Sequence, residues 1–395
     1  MKHRVAVIKC DSYDEEKVEL AVKRGISLIG GLDNLIKPGY KVLLKPNLLS
    51  AYLPSSGVTT HPSVVKAVVK CVKEVGAIPF IGDCPGAFLV GIEEIWEKTG
   101  MKRVAEETNT ELVCLEKRGS EIFNGIAISK AIYDFDAIIN LPKFKTHSLT
   151  GITGSIKNLF GLVPGWHKSS FHRDYPNAEG FSKVLISILK IVKPVLNIMD
   201  GIVGMEGDGP SNGNLRKIGL ILVSSDCVAL DTVMVRIMGY NPNDISMLKE
   251  AYKERFAYVG DTKFTELNLE VVGEDLESVK ISDFKLPTFL RGQNLTKKIF
   301  KDKILEILTK IYYNFVTAKP IVQKELCKKC GLCGKTCPVN AITYTNGFPK
   351  FNRKKCIECF CCYELCPHNA IELEYNFLVK LWLRREKNVY KKKTV

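Results

Sequence analysis

No apolar run in these 395 residues is long enough to cross a membrane uninterrupted. The most apolar stretch, Val184 to Met205, is broken by Lys190, Lys193, Pro194 and Asp200. The amino terminus turns acidic at Asp11, Asp14, Glu15 and Glu16 with no apolar core, so no secretory signal is expected and a cytoplasmic location is. Nucleotide fingerprints are missing as well. No Gly-x-Gly-x-x-Gly follows a strand pattern, and no glycine-rich loop ends in Gly-Lys-Ser/Thr, so binding of NAD or ATP is not supported. A composition of 46% hydrophobic and 25% charged residues, with 30 Gly and 17 Pro, excludes disordered and fibrous classes. A chain of this length buries enough surface to need no disulfide staples, so its 14 cysteines require a chemical explanation.

Charge and cysteine are both unevenly placed. Residues 285–395 hold 23 of the 57 Lys and Arg but 8 of the 43 Asp and Glu, so the whole basic excess sits near the end. Such a module presents a surface suited to acidic partners. Nine cysteines fall between 327 and 366. Cys327, Cys330, Cys333 and Cys337 are separated by two, two and three residues with Pro338 behind them, and Cys356, Cys359, Cys362 and Cys366 repeat those gaps with Pro367 behind them. The repeat continues, since Cys337-Pro-Val-Asn-Ala-Ile342 matches Cys366-Pro-His-Asn-Ala-Ile371.

This duplicated run resembles the bacterial ferredoxin with two four-iron, four-sulfur (4Fe-4S) clusters, over residues 321–375. The resemblance implies that the fourth cysteine of each run crosses to the other cluster. One cluster would take Cys327, Cys330, Cys333 and Cys366, the other Cys356, Cys359, Cys362 and Cys337. Thiolates are soft ligands suited to iron and sulfide. Zinc would use two separated Cys-x-x-Cys pairs, and a disulfide framework would need an oxidising compartment. Cys361 has no ligand position in this pattern; it reads as a small buried residue, with a role near the cluster left open.

Before the cysteines, apolar β-rich runs alternate with helical patterns. Strands are predicted at residues 4–9, 41–44, 78–81, 111–115, 136–141, 195–199, 218–223 and 267–272. Helices are predicted at 15–28, 63–74, 92–107, 181–191, 227–238 and 245–255. Such alternation implies an α/β fold, a mostly parallel sheet with helices on both faces, to which a small C-terminal α+β dicluster domain is added. The division is an α/β domain over 1–284, a basic helical linker over 285–320, the dicluster domain over 321–375 and a basic tail over 376–395.

In such sheets ligands bind beyond the carboxyl ends of strands. Lys45 and Asn47 stand at one such end, Asp83 at another, Lys143, Lys145 and His147 at a third, and Asp200 and Asp226 at two more. A shared crevice is expected, although each residue alone reads more often as a turn or cap. The segment from Leu141 to His147 reads as a loop that leads into Gly151-Ile-Thr-Gly-Ser-Ile-Lys-Asn158, a plausible anion cradle with Lys157 and Asn158 at its end. The glycine-rich run Asp200 to Pro210 adds Glu206 and Asp208, which would serve a divalent metal ion or acid and base chemistry, or form a plain surface loop. His61, before Pro62, is a proton carrier or a helix cap. His167 and His172 lie in a polar stretch with the look of a mobile lid.

Pro142-Lys-Phe-Lys-Thr-His147, Lys157-Asn-Leu-Phe-Gly161, Lys45-Pro-Asn47, Asp200-Gly and Gly204-Met-Glu-Gly207 resemble the domain-of-unknown-function-362 family. The likeness spans most of residues 1–280 and the ferredoxin part that members often carry. It implies the architecture and no reaction.

Within the linker Phe300, Ile304, Leu308, Ile311 and Phe315 share a helical face opposite Lys297, Lys301, Lys303 and Lys310. Packing between domains is the first reading of that face and peripheral membrane contact the second. Nucleic-acid binding is not expected, because the basic charge comes without a reading motif. The function expected is an iron–sulfur oxidoreductase. A low-potential donor or redox partner protein supplies electrons through two 4Fe-4S clusters to an anionic small-molecule substrate. Lys45, Asn47, Asp83 and Asn158 would bind that substrate, with Lys143, Lys145, His147, Lys157 and Asp200 as catalytic groups. Alternatives are a non-catalytic electron carrier steered by Arg353, Lys354 and Lys355, and a metal-dependent non-redox enzyme with structural clusters. Exposed low-potential clusters would suit an anaerobic setting.

Overall fold

The computed structural model describes residues 3–86, 91–175, 177–259, 269–288 and 319–374. The amphipathic run between Lys297 and Phe315 and the basic tail lie outside them. A twisted mixed sheet is built from β1 (His3–Lys9), β2 (Lys41–Pro46), β3 (Ile78–Asp83), β4 (Glu111–Cys114), β7 (Ala137–Leu141), β10 (Leu196–Glu206), β11 (Asn214–Ser224) and β12 (Leu269–Gly273). Its order is β12-β1-β11-β10-β7-β2-β3-β4, with β8 (Lys143–His147) paired to β10 and to β9 (Gly151–Ile152). A separate hairpin joins β5 (Ser120–Phe123) to β6 (Ile126–Ser129). Strand β11 runs antiparallel to both its neighbours, and the other pairs along the main path are parallel.

Successive side chains of a strand point to opposite faces, and each face here has its own core. Val5, Val7 and Leu43 point to one, where Phe181, Leu185 and Leu230 meet them from α7 (Ala178–Val192) and α8 (Cys227–Ile237). Ala6, Ile8, Val42 and Leu44 point to the other, covered by Val18 and Val22 of α1 (Glu15–Leu28) and Val64 and Val68 of α2 (Pro62–Glu74). Caps match the sequence signals. Asp14 accepts from Lys17 N at the start of α1. Asp226 accepts from Val228 N and Ala229 N at the start of α8, so this strand-end carboxylate is a cap. His61 caps α2 through Nδ1, which accepts from Ser63 N at 3.2 Å.

Four expectations are corrected. The helix predicted over 92–107 is two, α3 (Ile92–Lys98) and α4 (Met101–Thr108), because Gly100 between them takes a positive φ of 78°. Lys143–His147 is a buried strand, and the glycine-rich run after Asp200 continues β10 as far as Glu206. Those glycines are packing residues. A Cβ on Gly204 would stand 2.7 Å from Phe144 O and one on Gly201 2.9 Å from Leu220 O, so glycine lets neighbouring strands approach. The supposed lid is α6 (Gly165–Asp174), after α5 (Gly154–Asn158), with Phe171 and His172 packed on Phe160 and Phe181.

The cysteine-rich part is a small α+β unit. β13 (Lys319–Val322) pairs with β16 (Ile371–Glu374) and β14 (Ile342–Thr345) with β15 (Phe348–Phe351), with one-turn helices at Leu332–Lys335 and Cys361–Glu364. It is bonded directly to the α/β part. Tyr52 donates to Cys366 O at 3.3 Å, Ser211 to Glu364 O at 2.9 Å, and Tyr363 to Asp208 O at 2.6 Å.

Candidate active site at the domain junction

From β2 the chain moves to β3 and β4 on one side, whereas β7 lies on the other. The reversal leaves a crevice at the carboxyl ends of β2 and β7, where ligands bind in open α/β sheets. The cysteine module covers that crevice. Between them lies a cavity of about 90 Å³ whose wall includes Asn47, Asp83, Lys157, Asn158, Lys168 and His172 from the α/β side. Thr336, Cys361, Glu364 and Leu365 close it from the cysteine side.

Five residues singled out by sequence, Asn47, Asp83, Lys157, Asn158 and His172, reach this wall from the α/β side; three others stand one step behind it. Lys45, fully buried, pairs with Asp83 at 2.7 Å, while Leu48 N donates to the other Asp83 oxygen at 3.1 Å. Lys145 donates to Asn47 Oδ1 at 3.0 Å and to Val58 O at 2.6 Å. It has no carboxylate within ion-pair distance among the described residues, and burial, with Lys157 and Lys143 nearby, pushes its ammonium well below the usual range. His147 Nδ1 accepts from Leu149 N at 3.1 Å, which leaves the proton on Nε2, 3.3 Å from Glu364 Oε1. Burial pushes His147 down to about 4, so the ring is neutral near pH 7. Burial opposes the charge of Glu364 too, but His147 and Lys157 outweigh it and hold the carboxyl down at about 2. The asparagines form a chain: Asn47 donates to Asn158 at 2.9 Å, Asn158 to Asn140 at 2.8 Å, and Asn140 to Asn197 at 3.0 Å.

Lys143 and Asp200 stand apart from this cavity. They pair at 2.6 Å in a closed network with Tyr13, whose hydroxyl accepts from Lys143 at 2.7 Å and donates to Asp200 at 2.9 Å, and with His61 N, which donates to Asp200 at 2.9 Å. With its valences filled, Asp200 fixes β8 and β10 rather than facing a ligand. The carboxylates expected to share a divalent ion go to separate partners. Glu206 accepts from Lys285 N at 3.2 Å, and Asp208 accepts from Thr288 N and Oγ1 at 2.8 and 2.9 Å. His167 is outside the cavity wall, on the same helix as His172.

Sequence reasoning missed Glu364 and Lys168. The repeat carried a signal for Glu364, because Cys333-Gly-Lys-Thr-Cys337 has Lys335 where Cys362-Tyr-Glu-Leu-Cys366 has Glu364, a charge reversal inside a duplicated motif. Lys168 donates to the carbonyls of Cys84 and Pro85 and, like Lys157, meets no carboxylate among the described residues within ion-pair distance. Burial lowers both ammoniums below their ordinary value. His172 Nδ1 and Thr153 Oγ1, both buried at the wall, have no hydrogen-bond partner.

Two further cavities lie within the cysteine module. One is lined by Cys327, Cys330, Cys333 and Cys366, the other by Cys337, Cys356, Cys359 and Cys362 together with Cys361. Each therefore takes three cysteines from one run and the last from the other. Lys329 and Glu358, at matching places in the two runs, both have positive φ, as do Gly331 and Phe360, which bends each run around its cavity. Backbone N–H groups of Ala341 and Ala370 donate to Cys337 and Cys366 at 3.2 Å. Among the described residues no three His, Cys, Asp or Glu side chains converge as on a single ion, whereas four thiols around a cavity suit a polynuclear group. The donor set fits 4Fe-4S clusters.

Fold and thiol cavities together define an iron–sulfur protein with an α/β domain. Residues 319–367 match a 4Fe-4S dicluster domain, and residues 42–236 match the domain of unknown function DUF362. The chain is 36% identical over 252 residues to the thylakoid-associated protein sll1697 of Synechocystis sp., a match covering 62% of this chain and 77% of that protein. The chain belongs to the DUF362 family, and its C-terminal part is an electron-transfer domain. No helix among the described residues is long and apolar enough to cross a membrane.

Proposed function

We propose that the protein is an iron–sulfur oxidoreductase that reduces a small anion held in the junction cavity. One observation carries this reading: Cys361 lines both the second cysteine cavity and the junction cavity, so a single side chain separates cluster ligands from a pocket furnished with two lysines that have no ion-pair partner among the described residues. Cys327, Cys330, Cys333 and Cys366 hold one 4Fe-4S cluster and Cys337, Cys356, Cys359 and Cys362 the other. When bound, the clusters supply electrons singly.

The remaining work falls to the chain. Lys157 and Lys168 attract and hold the anion, whose charge offsets the cost of burying two ammoniums that have no carboxylate within ion-pair distance among the described residues. Thr153 Oγ1 orients it. Lys157, whose ammonium burial holds below its ordinary range, is the proton donor. Glu364, 3.3 Å from His147 Nε2, lines the crevice from the cysteine side. A two-electron reduction consumes two reduced one-electron carriers and two protons. The cavity, of about 90 Å³, suits a compact ligand. The name of the thylakoid-associated relative supports peripheral attachment to a membrane as the place of work, on the cytoplasmic side. The basic apolar run from Lys297 to Phe315 is the segment expected to carry it.

The test is a reductive titration of anaerobically purified protein, followed by electron paramagnetic resonance, with acetate, pyruvate or inorganic phosphate present or absent. A spectrum or potential that shifts with one of these anions, and no longer shifts in Lys157→Met, supports the reading. Clusters indifferent to all three would favour a plain electron carrier.

A further inference from the structure

The two cysteine cavities differ in what surrounds them. The second adjoins the junction cavity through Cys361, and its Cys359 and Cys362 are buried. The first reaches the surface, since Cys330 is exposed. Around it stand Lys324, Lys328 and Lys329, all exposed. Lys328 and Lys329 line the first cavity itself, and Lys324 and Lys329 converge on one ring, with their ammoniums 5.7 and 4.5 Å from the Phe348 centroid. Two positive charges held over one ring repel each other, and neither is in an ion pair among the described residues. Glu325 is the adjacent acid in the chain. Two exposed apolar side chains, Leu326 at 45% and Tyr344 at 44% of full accessibility, complete the patch.

We propose that this patch is the docking surface for an acidic one-electron carrier protein, and that electrons enter at the first cysteine set and leave at the second. The carrier loses one electron and the module gains one at each encounter. Charge complementarity selects the partner, because lysines with no acid of their own gain most from a partner's carboxylates. The apolar pair supplies the contact that excludes water near Cys330. The polarity of the path follows from burial: the first set has a thiol at the surface, and the second is next to the junction cavity. The proposal rests on the presence of clusters and not on the substrate reading, and it puts docking at the first set, where Lys328 and Lys329 line the cavity, rather than at Arg353, Lys354 and Lys355.

The test uses the full chain with its clusters and an acidic plant-type [2Fe–2S] ferredoxin as the probe. Binding of the two oxidised proteins is measured by calorimetry, and transfer from the reduced probe by anaerobic stopped flow. Affinity and second-order rate are expected to fall steeply between low salt and about 0.5 M salt. They should fall about tenfold or more at low salt when Lys324, Lys328 and Lys329 are changed together to Glu. Iron content and the resonance spectrum of the fully reduced protein report that the variant is intact. Changing Arg353, Lys354 and Lys355 to Glu should leave both quantities within about twofold. Salt-independent binding, or a loss confined to the Arg353 set, would overturn the proposal, and neither result depends on whether any anion is reduced.

Discussion

His172 offers a direct reading of how the junction is built. Its ring stacks on Phe181 with centroids 4.7 Å apart, and its Nδ1 is buried without a partner. Burial pushes its pKa from 6.5 down to about 4, helped by Lys157 and His147 and opposed by Glu364. The fold therefore prefers the neutral ring. Its contribution is fully present above pH 6.5 and is lost as pH falls toward 4, because the unfolded chain takes up the proton first. With about 1.4 kcal/mol for each pKa unit, the whole window is worth about 3.4 kcal/mol, and about 2 kcal/mol has gone by pH 5. His172→Phe keeps the stacked ring and removes the proton. Urea unfolding of the two proteins, anaerobic and cluster-loaded, is compared at pH 7.5 and pH 5. The variant is expected to gain about 2 kcal/mol on the wild type between the two conditions, and cluster effects common to both cancel in the difference. An equal stability difference at both pH values would refute the reasoning, as would a His172 resonance that titrates near 6.5 in carbon-13 histidine spectra.

Two other changes probe the site. A Cβ on Gly161 would enter contact distance of Asp83 Oδ1 and Lys45 Nζ, so Gly161→Ala should split that buried pair and cost about 3–5 kcal/mol; thermal denaturation with an unchanged midpoint would contradict this. Cys361→Ala should leave about eight irons per chain while shifting the potential of the cluster beside the junction, and a loss of about four irons would make Cys361 a ligand instead.

The strands were legible because buried strands of an α/β sheet are written as continuous Val, Ile and Leu, and all eight predicted ones exist. What was misread shares one cause. Lys143–His147 and Asp200–Glu206 carry charge and glycine, which are turn signals in a local reading. In the folded chain the charges of Lys143 and Asp200 cancel against each other, and the glycines answer to Phe144 and Leu220 across the sheet. The lid reading failed similarly, since the polar look of 165–174 hides the burial of Phe171 and His172 on Phe160 and Phe181.

Cysteine spacing by itself determined the class of the C-terminal module, because the gaps that wrap a cluster are local and repeat within one short stretch. The lysines, asparagines and carboxylate at strand ends were also readable, since topology sends such ends to one edge. Only the tertiary structure decided which of them meet. Lys45, Lys145 and His147 each hold a wall residue, Lys143 and Asp200 close on Tyr13, and Glu364 arrives from more than 200 residues away in the chain. Pairings over such separations leave no periodic trace, because they are set by where the module docks on the sheet rather than by any neighbour in sequence.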